Sequence, residues 1–363
     1  MKIAFPYMGP VVAYKKVAEL LGHEVIVPPR PTQKTIDLGA KHSPEFACFP
    51  YKVLMGSYIE ACEMGADTII SSGGHGPCRA GFYGEVHDRT LERLGYDVDV
   101  IIFDAVMRNF KGFMEKFNKV RGDNSLFKVM RVLKLVYDTI HEMDRFDKQI
   151  HKIRPYEIRP GAVDRVWEKI KTEFDQIRSK KDLKTAVSRG EDLIADIDLR
   201  QVEERNRIRV GIVGEIYVVM ESSINMEIEK VLNNLGCETE RSQYLSEWVD
   251  YHGNIPFRGG HEQEAWDKGE EYIEIGIGGH AKQTVGHIVN YKDRGYDGVI
   301  HLMPFACLPE LVSQSIIPKI SKEHDIPVMT LSLDEQSGAA NNQTRIEAFV
   351  DLIKNKKLNR FSA

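Results

Sequence analysis

The chain holds cysteines at positions 48, 62, 78, 237 and 307, and three of them stand where a helix is about to begin. Cys48 lies in Phe46-Ala47-Cys48-Phe49-Pro50-Tyr51, with Pro50 suited to a first helical turn. Cys78 follows the glycine-rich run Gly73-Gly74-His75-Gly76-Pro77, and Cys307 sits in Met303-Pro304-Phe305-Ala306-Cys307-Leu308-Pro309-Glu310. A thiol at a helix start faces the positive end of the helix dipole and backbone N–H groups that lack helical partners. Both lower its pKa and favour metal ligation or nucleophilic attack. One such cysteine alone is as readily a small buried hydrophobe, but three in equivalent settings are harder to explain by packing. Cys62 falls inside a helical period and Cys237 opens a strand after Gly236, so both are read as structural.

Three thiolates suit several chemistries. Structural zinc usually draws its ligands in close pairs, and no Cys-x-x-Cys pair occurs here. A four-iron cubane accepts ligands far apart in sequence, and three cysteines leave one of its irons open to water or substrate. Cys78 as a metal-free nucleophile is the third reading, and the residue pattern by itself leaves all three open. His75 is placed to donate a hydrogen bond to a cluster sulfide or to substrate, or equally to cap a turn. Gly278-Gly279-His280 precedes a helix beginning near Ala281, whose N–H groups suit an anion such as a CoA phosphate, although an ordinary loop explains a glycine pair as well. Glu85, Glu215, Glu310 and Glu335 lie near strand ends or helix starts, where a proton acceptor and a helix-capping carboxylate look alike.

The elements that must position these residues follow from periodicity. Lys2 to Pro6, Glu24 to Val27, Thr68 to Ser71 and Val98 to Phe103 read as strands separated by spacers of helix length. Leu21-Gly22, Leu94-Gly95 and Leu235-Gly236 each end a helical period, as a left-handed glycine does before the next strand. This alternation predicts an α/β protein with mostly parallel sheets. From roughly Met107 to Arg207 the sequence becomes charged and helical, broken once by Pro155 and Pro160, and strand–helix alternation resumes at Arg209 to Val213. The expected division is an N-terminal α/β domain over 1–106, a helical insertion or connector over 107–207, a C-terminal α/β domain over 208–336 and a closing helical segment over 337–363. Gly65-Ala66-Asp67-Thr68-Ile69-Ile70 leads to Cys78 much as Gly295-Tyr296-Asp297-Gly298-Val299-Ile300 leads to Cys307, a weak pseudo-repeat. It puts each cysteine past the carboxyl end of a strand, where open α/β sheets bind ligands.

Composition narrows the partners. With 363 residues, 42% of them hydrophobic, the chain is long enough for two buried cores. Its net charge of −5, with both signs mixed along the sequence, provides no polybasic stripe for a phosphate backbone, so nucleic acid is not an expected partner. The N-terminus runs straight into a short apolar strand, and no run of about 18 apolar residues occurs, so neither signal peptide nor membrane span is expected. Five cysteines without regular close spacing are not a disulfide scaffold. The expected location is the cytoplasm.

Longer runs around the three cysteines carry a resemblance. Thr35-Ile36-Asp37-Leu38-Gly39-Ala40-Lys41-His42-Ser43-Pro44-Glu45-Phe46-Ala47-Cys48, Gly76-Pro77-Cys78-Arg79-Ala80-Gly81-Phe82-Tyr83-Gly84-Glu85 and His301-Leu302-Met303-Pro304-Phe305-Ala306-Cys307-Leu308-Pro309-Glu310 resemble the 2-hydroxyacyl-CoA dehydratase and benzoyl-CoA reductase superfamily. The chain looks most like the branch of acyl-CoA dehydratase activase-related proteins, and Val213-Gly214-Glu215-Ile216-Tyr217-Val218 and Asp334-Glu335-Gln336-Ser337-Gly338 fit it too. The resemblance implies two Rossmann-like α/β domains with a helical part, and a [4Fe–4S] cluster between the domains on Cys48, Cys78 and Cys307. It further implies a separate ATP-hydrolysing activator that injects a low-potential electron, which the cluster passes to a substrate thioester carbonyl to give a ketyl radical anion. A related branch carries a double-cubane cluster, but five cysteines cannot supply six thiolates, so that reading ranks lower. Neither a Gly-x-x-x-x-Gly-Lys-Ser/Thr loop nor the Gly/Ser/Thr-rich phosphate-binding signature of the activator's actin-like ATPase fold is present, so an ATP-driven electron implies an ATPase on another chain.

The expectation is therefore a cluster-bearing dehydratase or reductase component acting on an acyl-CoA-like or other small substrate, with an external electron donor and pairing as a homo- or hetero-dimer. The competing reading is a non-catalytic electron relay, cluster carrier or scaffold for a partner redox enzyme.

Overall fold

A computed structural model describes residues 1–72, 78–103, 110–253, 260–336 and 338–362. The chain forms two compact units, Met1–Thr139 with Ile277–Gly279, and Ile140–Gly276 with His280–Ala363.

The first unit holds a four-stranded parallel sheet of β1 (Lys2–Ala4), β2 (Glu24–Ile26), β3 (Thr68–Ser72) and β4 (Asp99–Phe103), in the order β2-β1-β3-β4. In the second unit β5 (Ile208–Gly214), β6 (Cys237–Arg241), β7 (Gly298–Pro304) and β8 (Val328–Leu333) form another parallel sheet, in the equivalent order β6-β5-β7-β8. Two α/β sheets of Rossmann type are thus present, as strand–helix alternation predicts. Parallel strands are covered on both faces, which accounts for the near-continuous apolar runs. Every residue of β7 is buried, and all of β5 except Arg209. Gly22, Gly95 and Gly236 have φ of 90°, 85° and 87°, the left-handed turn that ends a helix before its strand.

The two sheets repeat a local device. The backbone N–H of Lys2 donates to the Asp67 carboxylate at 2.8 Å and that of Arg209 to Asp297 at 2.9 Å. Asp67 and Asp297 return backbone hydrogen bonds to the carbonyls of Lys2 and Arg209. Each aspartate stands just before the third strand of its sheet and clips it to the first. The preceding glycines, Gly65 and Gly295, have φ of 91° and 77°. The resemblance between these sequence segments therefore corresponds to one structural role.

Between β4 and β5 the described residues are helical, with helices Phe110–Arg121, Leu126–Ile153, Ala162–Asp175 and Lys180–Ala195. The 3₁₀ turn Arg154–Tyr156 follows the second of these at Pro155. Helix Phe110–Arg121 lies on the first sheet, where Lys116 donates to the Ile102 carbonyl at 2.7 Å. The later part of helix Leu126–Ile153 is held in the second unit by buried charge. Arg241 pairs with Asp147 and, at 3.0 Å, with Glu229, and Asp144 accepts from the Ser246 N–H at 2.8 Å. None of the helices searched among the described residues is long and apolar enough to cross a membrane.

One packing contact bears directly on Cys48. Helices Gln33–Lys41 and Phe49–Glu63 approach backbone to backbone at Gly39 and Gly56. A Cβ at Gly39 would stand 1.7 Å from the Lys52 carbonyl oxygen, and one at Gly56 would stand 1.9 Å from that of Thr35. Thr35 also donates to buried Glu60 at 2.8 Å. Part of the run leading to Cys48 is therefore a helix-packing device that fixes where the cysteine helix starts. Gly56→Ala is expected to destabilise the protein by about 3 kcal/mol or more, because the clash outweighs the roughly 1 kcal/mol helix preference of alanine. Urea unfolding checks this, with Gly22→Asn, at an open left-handed position, expected to cost far less.

Candidate functional site

In the first unit the structure brings the Cys48 and Cys78 segments together. Cys48 is the N-cap of helix Phe49–Glu63, with Pro50 in the first turn, and only 8% of it is exposed. Cys78, half-buried, is the N-cap of the 3₁₀ turn Arg79–Phe82, which runs directly into helix Tyr83–Arg93. Arg79 donates to the Phe46 carbonyl at 2.7 Å and lies over the Phe46 ring, tying the two loops. The Cys48 sulfur and the Tyr83 hydroxyl are 2.6 Å apart, and Tyr83 meets the ring of Tyr51 edge-on. Burial, followed by the charge of Cys48 and a smaller contribution from Cys78, pushes the Tyr83 phenol far above its usual pKa. Tyr83 therefore stays protonated and serves as a hydrogen-bond donor. Its place in the Cys78 run was visible in the sequence, but its contact with Cys48 was not.

Cys307 belongs to the second unit and is the N-cap of helix Leu308–Glu323, just beyond the carboxyl end of β7. The residue before it, Ala306, adopts φ 61°, a left-handed conformation that a residue with a Cβ takes only when its surroundings impose it. Cys78 follows β3 and Cys307 follows β7, so they occupy corresponding places after the third strand of each sheet. All five cysteines are thiols. Burial raises Cys62 to about 11 and Cys237 to about 12, as expected of inert packing residues.

The remaining sequence-predicted residues divide. His75 lies outside the described residues. Gly278 and Gly279 have φ of 72° and 58°, two consecutive left-handed positions that by themselves call for glycine. His280 is the N-cap of helix Ala281–Asp293, and burial lowers its pKa. Glu85 is a surface acid paired with Arg89. Glu310 is fully buried, accepting from Thr284 at 3.2 Å and lying 2.9 Å from His301 on β7. Glu215 is the N-cap of the short helix after β5 and accepts from the Val218 N–H at 3.1 Å. Burial raises its pKa to about 7, the Glu310 charge adding to the effect against two backbone hydrogen bonds. Glu215 is thus both a cap and an acid poised near neutrality, a distinction set by its surroundings.

Cys78 and Cys307 lie beyond the strand ends where parallel sheets bind ligands, whereas Cys48 reaches its place by way of a helix pair. Cysteine sulfurs at helix N-termini, with Tyr83 beside one of them, are donors of the type that fits iron–sulfur ligation. By contrast, a cavity of about 430 Å³ at the opposite, amino-terminal edge of the second sheet is lined by Arg207, Arg209, Arg294 and Glu238. The guanidinium groups of Arg207, Arg209 and Arg294 are already paired with Glu204, Glu238 and Glu240, which makes it an ion-pair network.

Residues 283–353 match the family model of the 2-hydroxyglutaryl-CoA dehydratase D-component. The matched stretch contains β7, Cys307, helix Leu308–Glu323 and β8. It supports the resemblance to the 2-hydroxyacyl-CoA dehydratase superfamily. No curated protein matches the chain.

The raised pKa of Glu215 has a measurable sign. A carboxyl whose folded pKa of about 7 lies above its ordinary 4.5 stabilises the fold at low pH and loses that contribution as pH rises through 7. Glu215→Gln keeps an oxygen for Val218 and carries no charge. It is expected to melt close to wild type near the ordinary carboxyl pKa of 4.5, and a few degrees above it at neutral to mildly alkaline pH, by calorimetry across the range.

Proposed function

We propose that this chain, similar to 2-hydroxyacyl-CoA dehydratases in its second sheet, is the cluster-holding component of a dehydratase or reductase system, with Cys48, Cys78 and Cys307 as the three thiolate ligands of one [4Fe–4S] cluster. The observation that carries the reading is that these three cysteines alone, of five, cap helix starts, and that two of them occupy corresponding strand ends. Its substrate is a small molecule of the acyl-CoA thioester class, and its electrons come from a separate ATP-hydrolysing activator or another low-potential donor. When bound, the cluster supplies one-electron reduction of the substrate at low potential.

The chain's own residues do the rest. Backbone N–H groups at the starts of helices Phe49–Glu63 and Leu308–Glu323 favour the thiolate forms of Cys48 and Cys307. Tyr83, held protonated, donates to the Cys48 sulfur. Phe46 and Phe82 beside the first pair of cysteines, and Phe305 and Leu308 beside Cys307, expose apolar surface that excludes water from a thiolate-bound group. Glu215, at the carboxyl end of β5 next to β7, can hold a proton at neutral pH and give it up at its carboxyl oxygen when a substrate expels hydroxide.

Anaerobic reconstitution followed by iron and sulfide analysis tests the assignment. Wild type is expected to bind about four of each per chain, and Cys48→Ser, Cys78→Ser and Cys307→Ser are each expected to lose most of both. Colourless, iron-free wild type overturns it. Reduced, cluster-loaded protein that transfers electrons but turns over no thioester overturns the catalytic part and leaves a relay.

A further inference from the structure

Away from the cysteines, the second unit contains a cluster whose chemistry the proposed function does not use. Helices Gly260–Glu270 and Ala281–Asp293 run antiparallel in backbone contact. A Cβ at Gly269 would stand 2.0 Å from the Lys282 carbonyl oxygen, and one at Gly286 would stand 1.8 Å from that of Ala265. About one turn further along the same seam, His261 and Glu262 of the first helix meet His287 of the second. The seam fixes these side chains through regular helix backbone, the kind of support that holds a ligand set in place.

His287 and Glu262 are 1% and 5% exposed, and His287 Nε2 lies 3.2 Å from a Glu262 carboxylate oxygen. The His261 and His287 ring centroids are 5.0 Å apart. One donor atom from each of the three residues falls within 4.8 Å of the others. A zinc ion with ligands at about 2.1 Å spaces tetrahedral donors about 3.4 Å apart, so the His287–Glu262 pair is already at metal spacing. Small side-chain rotations bring in His261.

Hydrogen bonding alone does not account for the cluster. The His287–Glu262 contact leaves Nδ1 of His287 buried and without a partner among the described residues, and Nδ1 of His261 is in the same position. Gln283, one turn before His287 on the same helix face, also has a buried side-chain oxygen without a partner. Buried polar atoms are nearly always satisfied, because leaving one unpaired costs about 1–3 kcal/mol. Two imidazoles and a carboxylate converging in a buried seam are instead a donor set for a first-row divalent cation.

We propose that His261, Glu262 and His287 bind one first-row divalent cation, zinc(II) being the best chemical match, at a site independent of Cys48, Cys78 and Cys307. Three protein ligands leave a coordination position for water or a ligand atom, as in sites that do more than brace a fold.

Zinc(II) titration of the full-length chain against a chromophoric chelator, with zinc content measured by mass spectrometry, tests the site. Two backgrounds keep thiolates out of the readout: the Cys48→Ser/Cys78→Ser/Cys307→Ser protein, and wild type with its cluster assembled anaerobically. One zinc per chain is expected in both, together with a zinc-dependent rise in melting temperature. His261→Ala, Glu262→Gln and His287→Ala should each weaken binding by more than about 100-fold, beyond the loss of an outer-shell partner. His261 is only half-buried, so its variant is expected to fold with an unchanged far-UV circular dichroism spectrum. Zinc binding that disappears from the serine background and from the cluster-loaded protein overturns the proposal, as does undiminished affinity in folded His261→Ala and Glu262→Gln. Neither result bears on iron binding by the cysteines.

Discussion

A parallel sheet whose first strand lies between the second and the third sends successive connections to opposite faces, and a crevice opens at the carboxyl edge where they part. Both sheets of this protein have that order. In each, an aspartate ahead of the third strand clips it to the first, through the pairs Lys2–Asp67 and Arg209–Asp297. The positions of Cys78, Cys307 and Glu215 all depend on this arrangement, since each follows a strand that borders the crevice of its own sheet. Cys48 arrives by another route, through two helices packed so closely that glycine is required on both.

Two opposing effects sort the cysteines. Desolvation disfavours a thiolate, and it governs Cys62 inside its helix and Cys237 within β6, both raised well above an ordinary thiol. A helix start works the other way by offering N–H groups and the positive end of the dipole. Cys48 combines a helix start with near-complete burial, and the hydroxyl of Tyr83 offsets part of the cost by standing at its sulfur. The same reasoning separates the acids. Glu85 pairs with Arg89 on the surface, whereas Glu215, buried and near Glu310, keeps its proton to about neutral pH.

Arg241 and Glu240, both buried in the second unit, show how buried charge is compensated. Arg241 lies between Asp147 and Glu229 with the Tyr244 ring against its guanidinium, and Arg294 holds the Glu240 carboxyl down at about 2, with help from Lys152 and Tyr296. Such pairs are costly to break, because removing one partner leaves the other charged and dry. Against that background the His261, Glu262 and His287 cluster stands out, as the buried Nδ1 atoms of both imidazoles are without a partner among the described residues.

Much of this was legible from residue order alone. β-Branched runs separated by helix-length spacers, with Gly22, Gly95 and Gly236 as helix stops, specify alternating strands and helices because those signals act over a few residues. The helix-start positions of Cys48, Cys78 and Cys307 are local in the same sense, since Pro50 and Pro309 mark first turns. The tertiary structure decided what depends on distant neighbours. Tyr83 reaches Cys48 because its ring packs on Tyr51 and Arg79 ties their loops together. Glu215 becomes a near-neutral acid only because folding buries it near Glu310. His261 and Glu262 meet His287 only because glycines let two helices touch. Protonation states and ligand sets arise from burial and convergence in space, which local spacing does not encode.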